Sequence, residues 1–238
     1  MPNPFFKFKN FTVYHDQCAM KVGTDGVLLG AWCDVSDAKK ALDIGTGTGL
    51  IALMIAQRNP LLKIDAIDID DKAILQAKEN IDKSEFSSQI ACSHQSLQDF
   101  YKGTKNKYDV IVSNPPFFVN SLKSKGVERT LARHTDSLNI EDLFFISSGL
   151  LSDKGKLFVI YPAEQKESLI HLAKESNLLA YRITDVYSTE KSTDPKRVLL
   201  SFSREQLPVI ENELFIEKER HVYSDDFIRL AKDFYLNM

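Results

Sequence analysis

The chain has 238 residues, a hydrophobic fraction of 43% and a formal net charge of −3. That length suits one sizeable α/β domain with short terminal additions. The slight negative charge excludes a uniformly basic nucleic-acid binder, so any basic footprint has to be local. Three cysteines, Cys18, Cys33 and Cys92, stand far apart without a CxxC, and the five histidines show no ligand spacing. Neither a disulfide framework nor a metal site is expected, and a reducing compartment, the cytoplasm, fits. No apolar run approaches the ~20 residues of a membrane span, and Met1–Lys7 does not read as the start of a secretory signal.

Taken in chain order, residues 1–35 read as an N-terminal extension packed on the domain, with Phe5, Phe6, Phe8 and Phe11 as its anchors. Residues 36–238 read as the domain itself. A polar loop, Lys21 to Gly26, precedes an apolar helical run from Val27 to Trp32. Lys40–Ile44 is the first core strand, and Leu50–Arg58 is a helix closed by Asn59-Pro60, since the residue before proline disfavours the helical region. Ile64–Ile69 is a second strand. Asp71–Asp82 is a helix with Ile74, Ala77 and Ile81 on one face, and Asp70 suits its N-cap.

Ile90–Cys92 and Tyr108–Val112 are the third and fourth strands, the latter apolar enough for burial on both faces of a parallel sheet. After a long polar segment, Asn139 caps a helix through Leu151. Lys156–Tyr161 is a fifth strand and Glu164–Glu175 a helix. Leu179–Tyr187 and Lys196–Ser203 are two late strands, and Ser224 caps a last helix. This alternation predicts a doubly wound, mostly parallel sheet in which one edge strand turns antiparallel.

Two segments carry chemistry. The first is Asp43-Ile44-Gly45-Thr46-Gly47-Thr48-Gly49, directly after a strand and before a helix. Alternating glycines let backbone approach a ligand closely. The dinucleotide pattern GxGxxG fails because Leu50 occupies its third glycine position, and no Gly-Lys-Ser/Thr follows for a P-loop. Asp68 ends the second strand, where a carboxylate can accept hydrogen bonds from both ribose hydroxyls of an adenosine. Asp43 is placed either to bond the loop backbone or to reach a cofactor amino group.

The second segment is Asn114-Pro115-Pro116-Phe117, after the fourth strand. Consecutive prolines stiffen the chain and remove two backbone donors. A wall of acceptors remains, the Asn114 side-chain oxygen and the Pro115 carbonyl, suited to both N–H groups of an exocyclic amine. Phe117 offers a stacking face, worth about 1–3 kcal/mol per base.

The glycine loop and Asp68 resemble the cofactor site of the class I S-adenosylmethionine (SAM)-dependent methyltransferases. That likeness implies a Rossmann-like, seven-stranded sheet. Thr46 in the loop, Ile69 after the acid and Asn114 are counted among the cofactor contacts, and Ser96 and Leu97 stand near the adenine in place of an acidic residue, since Asp99 comes late. Asn-Pro-Pro-Phe resembles the signature of amino methyltransferases. The run Met20 to Trp32, with Phe11 to Gln17 before it, is similar to bacterial enzymes that methylate adenine N6 beside the anticodon of valine tRNA, over nearly the whole chain. The resemblance implies SAM as cofactor, tRNA as substrate, adenosine 37 as target, no metal, and Thr24, Asp25 and Gly26 near the methionine end of the cofactor. Glutamine N5 methylation of a protein and guanine N2 methylation of rRNA remain as alternatives.

An RNA substrate calls for phosphate contacts. Lys123, Lys125, Arg129 and Arg133 form the first basic cluster, opposed only by Glu128. Lys102, Lys105 and Lys107 form a second, and Lys191, Lys196 and Arg197 a third. The oligomeric state stays open, with a monomer favoured.

Overall fold

The computed structural model describes residues 3–18, 21–116 and 138–238. It opens with an antiparallel hairpin of β1 (Phe5–Lys7) and β2 (Thr12–Tyr14), followed by α1 (Thr24–Trp32). The alternating body comprises β3 (Lys40–Ile44), α2 (Leu50–Arg58), β4 (Lys63–Asp68), α3 (Asp71–Asp82), β5 (Ile90–His94), α4 (Leu97–Gly103) and β6 (Tyr108–Ser113). Then come α5 (Ile140–Leu150), β7 (Leu151–Pro162), a 3-10 turn (Ala163–Gln165), α6 (Lys166–Glu175), β8 (Leu179–Thr189), β9 (Arg197–Ser203), β10 (Ile210–Glu219), β11 (Val222–Tyr223) and α7 (Asp225–Ala231).

The main sheet has the order β11-β10-β8-β9-β7-β6-β3-β4-β5. The α/β, doubly wound, mostly parallel class holds, with two corrections. Among the described residues, nine strands build the sheet rather than seven. The antiparallel strand β9 lies inside it, pairing with β7 on one side and β8 on the other. Val198 to Phe202 are buried without a break, as in a strand covered on both faces of the sheet. The extra strand β10 pairs parallel to β8. Its sequence, IENELFIEKE, is too charged to read as a core strand, and only Leu214 within it is buried. Two-residue β11 closes the edge antiparallel to β10.

Helices cover both faces. One core joins Phe8, Phe11, Trp32, Leu53, Phe158 and Phe227, so the N-terminal hairpin, α1, α2 and α7 share a face. The other joins Leu97, Phe144, Leu157, Tyr161 and Phe202 beneath α4 to α6. Of the four expected phenylalanine anchors, Phe8 and Phe11 are buried and stacked at 4.8 Å, Phe6 packs partly buried, and Phe5 is exposed. Trp32 donates its indole N–H to Thr184 Oγ1 at 3.1 Å, and the Arg182 guanidinium lies over its ring, tying α1 to β8. Asp70 caps α3 by accepting from the Lys72 amide, an arrangement worth about 1 kcal/mol. Among the described residues, no helix is long and apolar enough to cross a membrane.

Candidate active site at the carboxyl edge of the sheet

Parallel register brings Ile44 of β3 level with Ile67 of β4 and Ser113 of β6, and Ile67 level with Ser93 of β5. The residues that follow, Gly45, Asp68, His94 and Asn114, therefore lie along one edge. With strands ~4.8 Å apart, Asp68 and Asn114 stand about 10 Å from each other across β3. This is the crevice outside the carboxyl ends of the strands where open α/β sheets bind ligands. Ser113 donates its hydroxyl to the Ile44 carbonyl at 2.9 Å and fixes the end of β6 to the start of the glycine loop.

All three loop glycines have positive φ, 71° at Gly45, 57° at Gly47 and 80° at Gly49, a region costly for side-chain-bearing residues. They divide by what surrounds them. Among the described residues, a Cβ at Gly45 or Gly47 would meet no atom within 4 Å, whereas one at Gly49 would lie 3.5 Å from Ala77 of α3. Gly45 and Gly47 thus border open space, and Gly49 lets α2 start close against α3. The Asp68 carboxylate anchors the loop, accepting from the Gly47 amide at 2.8 Å and from the Asp70 amide at 3.0 Å.

Asp43 is fully buried. Its Oδ2 accepts from the Thr46 hydroxyl at 2.7 Å, while Oδ1 has no hydrogen bond of good geometry among the described residues, the Ala52 amide being the backbone donor near the carboxylate. Burial pushes its carboxyl up to about 7 and the neighbouring Asp68 charge adds to this, while the Thr46 hydroxyl and the Ala52 backbone amide oppose it. A buried acceptor left unpaired is uncommon and costly, which marks the Asp43 side of the loop as a place for a donor.

The remaining expected residues are distributed around this edge. Asn114 is half-buried, Pro115 buried and Pro116 exposed. Ile69, exposed, follows Asp68, and its carbonyl lies 2.8 Å from His94 Nε2. Ser96 caps α4 by accepting from the Asp99 amide and donates to the Asp99 carboxylate at 2.8 Å, so Asp99 belongs to the cap; Leu97 is buried beneath. Asp25 forms a 2.8 Å ion pair with Arg197 of β9, and Thr24 beside it is exposed. At Gly26 a Cβ would come within 2.9 Å of Leu50 Cδ2, so this glycine serves close packing of α1 on α2. Phe117, Lys123, Lys125, Arg129 and Arg133 lie outside the described residues.

Sheet polarity separates the other two basic clusters. Lys102, Lys105 and Lys107 precede β6 and sit toward the amino edge, away from Asn114. Arg197 begins antiparallel β9 opposite Pro162, on the carboxyl edge. The thiols are poor nucleophiles at neutral pH. Burial, the largest cause in each, pushes Cys18 and Cys33 up to about 11 and Cys92 up to about 12. Among the described residues, no cluster of His, Cys, Asp or Glu could hold a metal ion.

Residues 19–176 match the family model described as the methyltransferase small domain. The chain is 51% identical over 241 residues to the tRNA1(Val) (adenine(37)-N6)-methyltransferase of Parabacteroides distasonis, with both chains covered completely. The chain belongs to the tRNA1(Val) (adenine(37)-N6)-methyltransferase family. A Trichodesmium erythraeum member is 50% identical, with 97% of each chain covered. Among solved structures, a predicted O-methyltransferase of Agrobacterium tumefaciens superposes with a TM-score of 0.69 at 16% identity, over 88% of this chain and 96% of that one. The ribosomal protein L11 methylase of Lactobacillus delbrueckii gives 0.56 at 18%, over 82% and 84%. At such identities these likenesses speak to fold alone.

Within this family chain, some contacts that shape the site escaped the sequence reading. Arg197, read only as part of a basic cluster, lies 172 residues from the Asp25 it binds, and no local pattern links them. Asn80 and Gln76 did leave a signal. They are polar residues one turn apart on the buried face of α3, among Ala73, Ile74, Ala77 and Ile81.

Proposed function

We infer that this chain methylates the exocyclic N6 amine of adenine 37 in tRNA1(Val), in the cytoplasm, with SAM as methyl donor. The observation that carries this reading is the full-length identity of about half to relatives of that name. The fit of the edge to the donor supports it. Open space over Gly45 and Gly47 leaves room for a ligand against backbone, the unpaired Asp43 oxygen awaits a donor such as an ammonium, and Asp68 stands where ribose hydroxyls would reach it. In this reading Thr46, Gly49, Ile69, Ser96 and Leu97 line the same site. Residues 1–35 complete it through Thr24, Asp25 and Gly26, and residues 36–238 form the methyltransferase domain. Bound there, SAM supplies a methyl group made electrophilic by its sulfonium.

The protein's part is orientation. Asn114 and the Pro115 carbonyl accept the two amine hydrogens and hold the nitrogen lone pair toward the methyl. Pro116 stiffens that wall, and Phe117 stacks on the base. These hydrogen bonds strengthen as the nitrogen gains positive charge, so no strong base is needed, and the surplus proton leaves to solvent. The target adenine has to be unstacked, which costs less in a loop than in a duplex. Lys123, Lys125, Arg129 and Arg133, just past the motif, supply phosphate contacts in this scheme.

The test is transfer of labelled methyl from SAM to tRNA from cells lacking the activity, followed by digestion. N6-methyladenosine mapping to position 37 of tRNA1(Val) is the expected product. Label in a protein fraction instead would favour glutamine methylation and overturn the RNA reading.

The loop makes its own prediction. Gly47→Ala places a methyl at positive φ in open space, so the fold should lose only ~1–2 kcal/mol. Cofactor affinity should fall by ~10-fold or more, because that methyl enters the ligand's space. Calorimetric titration with S-adenosylhomocysteine beside a thermal melt checks this; a melt shift with unchanged affinity would remove Gly47 from the cofactor site.

A further inference from the structure

The N-terminal hairpin and the glycine loop are separated in sequence yet meet at one side chain. Asn80 of α3 is fully buried. Its Oδ1 accepts from the Tyr14 amide at 2.8 Å, and its Nδ2 donates to the Tyr14 carbonyl and to the Thr48 carbonyl, each at 2.9 Å. Both amide hydrogens are thereby used, and the side chain grips the Tyr14 backbone as a strand partner would. One turn earlier, buried Gln76 accepts from the Gln17 amide at 3.0 Å. Its own Nε2 donates to Glu79 Oε2 at 3.1 Å. One face of α3 thus holds residues 14–17 through their backbone.

The Thr48 contact matters for the loop. Thr48 stands between Gly47 and Gly49, both at positive φ. A peptide plane next to glycine is inexpensive to rotate, because glycine tolerates either sign of φ. The Asn80 amide holds the Thr48 carbonyl facing α3, and Ala77 borders Gly49 from the same helix. The N–H of the same peptide, from Gly49, donates to the Thr46 carbonyl at 2.9 Å. The peptide is thus held on one side by the loop's own turn and on the other by α3, and α3 at this point is shared with the hairpin.

We propose that Asn80 is a positioning residue that couples the N-terminal hairpin to the cofactor loop. It fixes the Thr48–Gly49 peptide and the Tyr14 backbone in one arrangement, so that cofactor affinity and hairpin order rise and fall together. The proposal rests on the reading of this loop as the SAM site. Coupling of this kind is reciprocal: if the hairpin sets affinity, the bound cofactor must order the hairpin by the same factor.

Asn80→Asp is the discriminating variant. It keeps size and shape and still accepts from the Tyr14 amide. It loses both donors and sets a carboxylate oxygen against two carbonyls. The dissociation constant for S-adenosylhomocysteine should rise ~10-fold or more, and KM for SAM with it, while kcat at saturating SAM stays within about twofold. In the wild type, saturating S-adenosylhomocysteine should slow exchange of the Tyr14 amide hydrogen by ~10-fold or more, and this protection should vanish in the variant. A wild-type dissociation constant in Asn80→Asp would overturn the proposal, as would Tyr14 exchange indifferent to ligand in the wild type. So would loss of kcat in step with the folded fraction at constant affinity, because that is what a purely structural residue does. Failure of the wild type to bind S-adenosylhomocysteine at all would instead remove the cofactor reading on which the coupling stands.

Discussion

Asn114→Ala is expected to lower kcat for methyl transfer to tRNA by ~10²–10³, the usual cost of removing one preorganised hydrogen bond to developing charge. The dissociation constant for S-adenosylhomocysteine should stay within about threefold of wild type, a difference below ~1 kcal/mol. The separation of the two effects follows from position. Asn114 is half-buried just beyond Ser113, whose hydroxyl ties β6 to the Ile44 carbonyl. The backbone there is held by Ser113, by sheet pairing and by the prolines, so truncating Asn114 leaves the loop across β3 in place. A ground-state contact would show mainly in KM, and a contact that matters as nitrogen becomes cationic shows in kcat. Single-turnover rates with labelled SAM, beside calorimetry with S-adenosylhomocysteine, measure the two terms. Loss of both together would make Asn114 a structural residue of the loop.

The parts of this site legible in the sequence are those with local grammar. Asp43 to Gly49 and Asp68 could be read because strand, glycine turn and helix follow one another within a few residues. The bounds of β3, α2 and α3 agree with that reading. Asp70 was legible as a cap for the same reason. What escaped was long-range or disguised. Strand β10 hides behind five glutamate and lysine side chains, because an exposed sheet extension needs little apolar surface. The interior place of β9 rests on its pairing with β7 on one side and β8 on the other, an order of strands that no local pattern announces. Asp25, placed by the resemblance near the methionine end of the cofactor, meets Arg197 across the fold. Asp99 reads as an acid standing late for the adenine, and proves to be half of a reciprocal cap with Ser96. Asn80 looks like an interruption of an apolar face, and such interruptions in a buried stripe call for a partner search, because a buried amide without partners would be costly.

Asp43→Asn should raise the melting temperature of the ligand-free protein near pH 8 while weakening S-adenosylhomocysteine binding by ~10-fold or more. The opposite signs have one cause. The folded-state value of the Asp43 carboxyl is raised from 3.8 to about 7, chiefly by burial, so the native state favours the neutral form. For an acid raised in this way, the unfolded chain releases its proton first. Native stability therefore falls as pH rises through the interval between 3.8 and about 7, and levels off above it. Asparagine cannot ionise and carries no such loss. It keeps an oxygen to accept from the Thr46 hydroxyl, and a buried neutral amide without a partner costs less than a buried charge. The gap in melting temperature between variant and wild type should accordingly widen from about pH 4 to about pH 7 and then hold constant. Binding runs the other way, because the unpaired Oδ1 is the acceptor left for a cationic donor, and the neutral amide has no charge to offer it. Melts across that pH range, paired with calorimetry at pH 8, decide the matter. A lower melting temperature for Asp43→Asn at pH 8 would mean that the carboxylate is stabilised inside the ligand-free fold, and the site would then lack the stored electrostatic cost that a bound ammonium relieves.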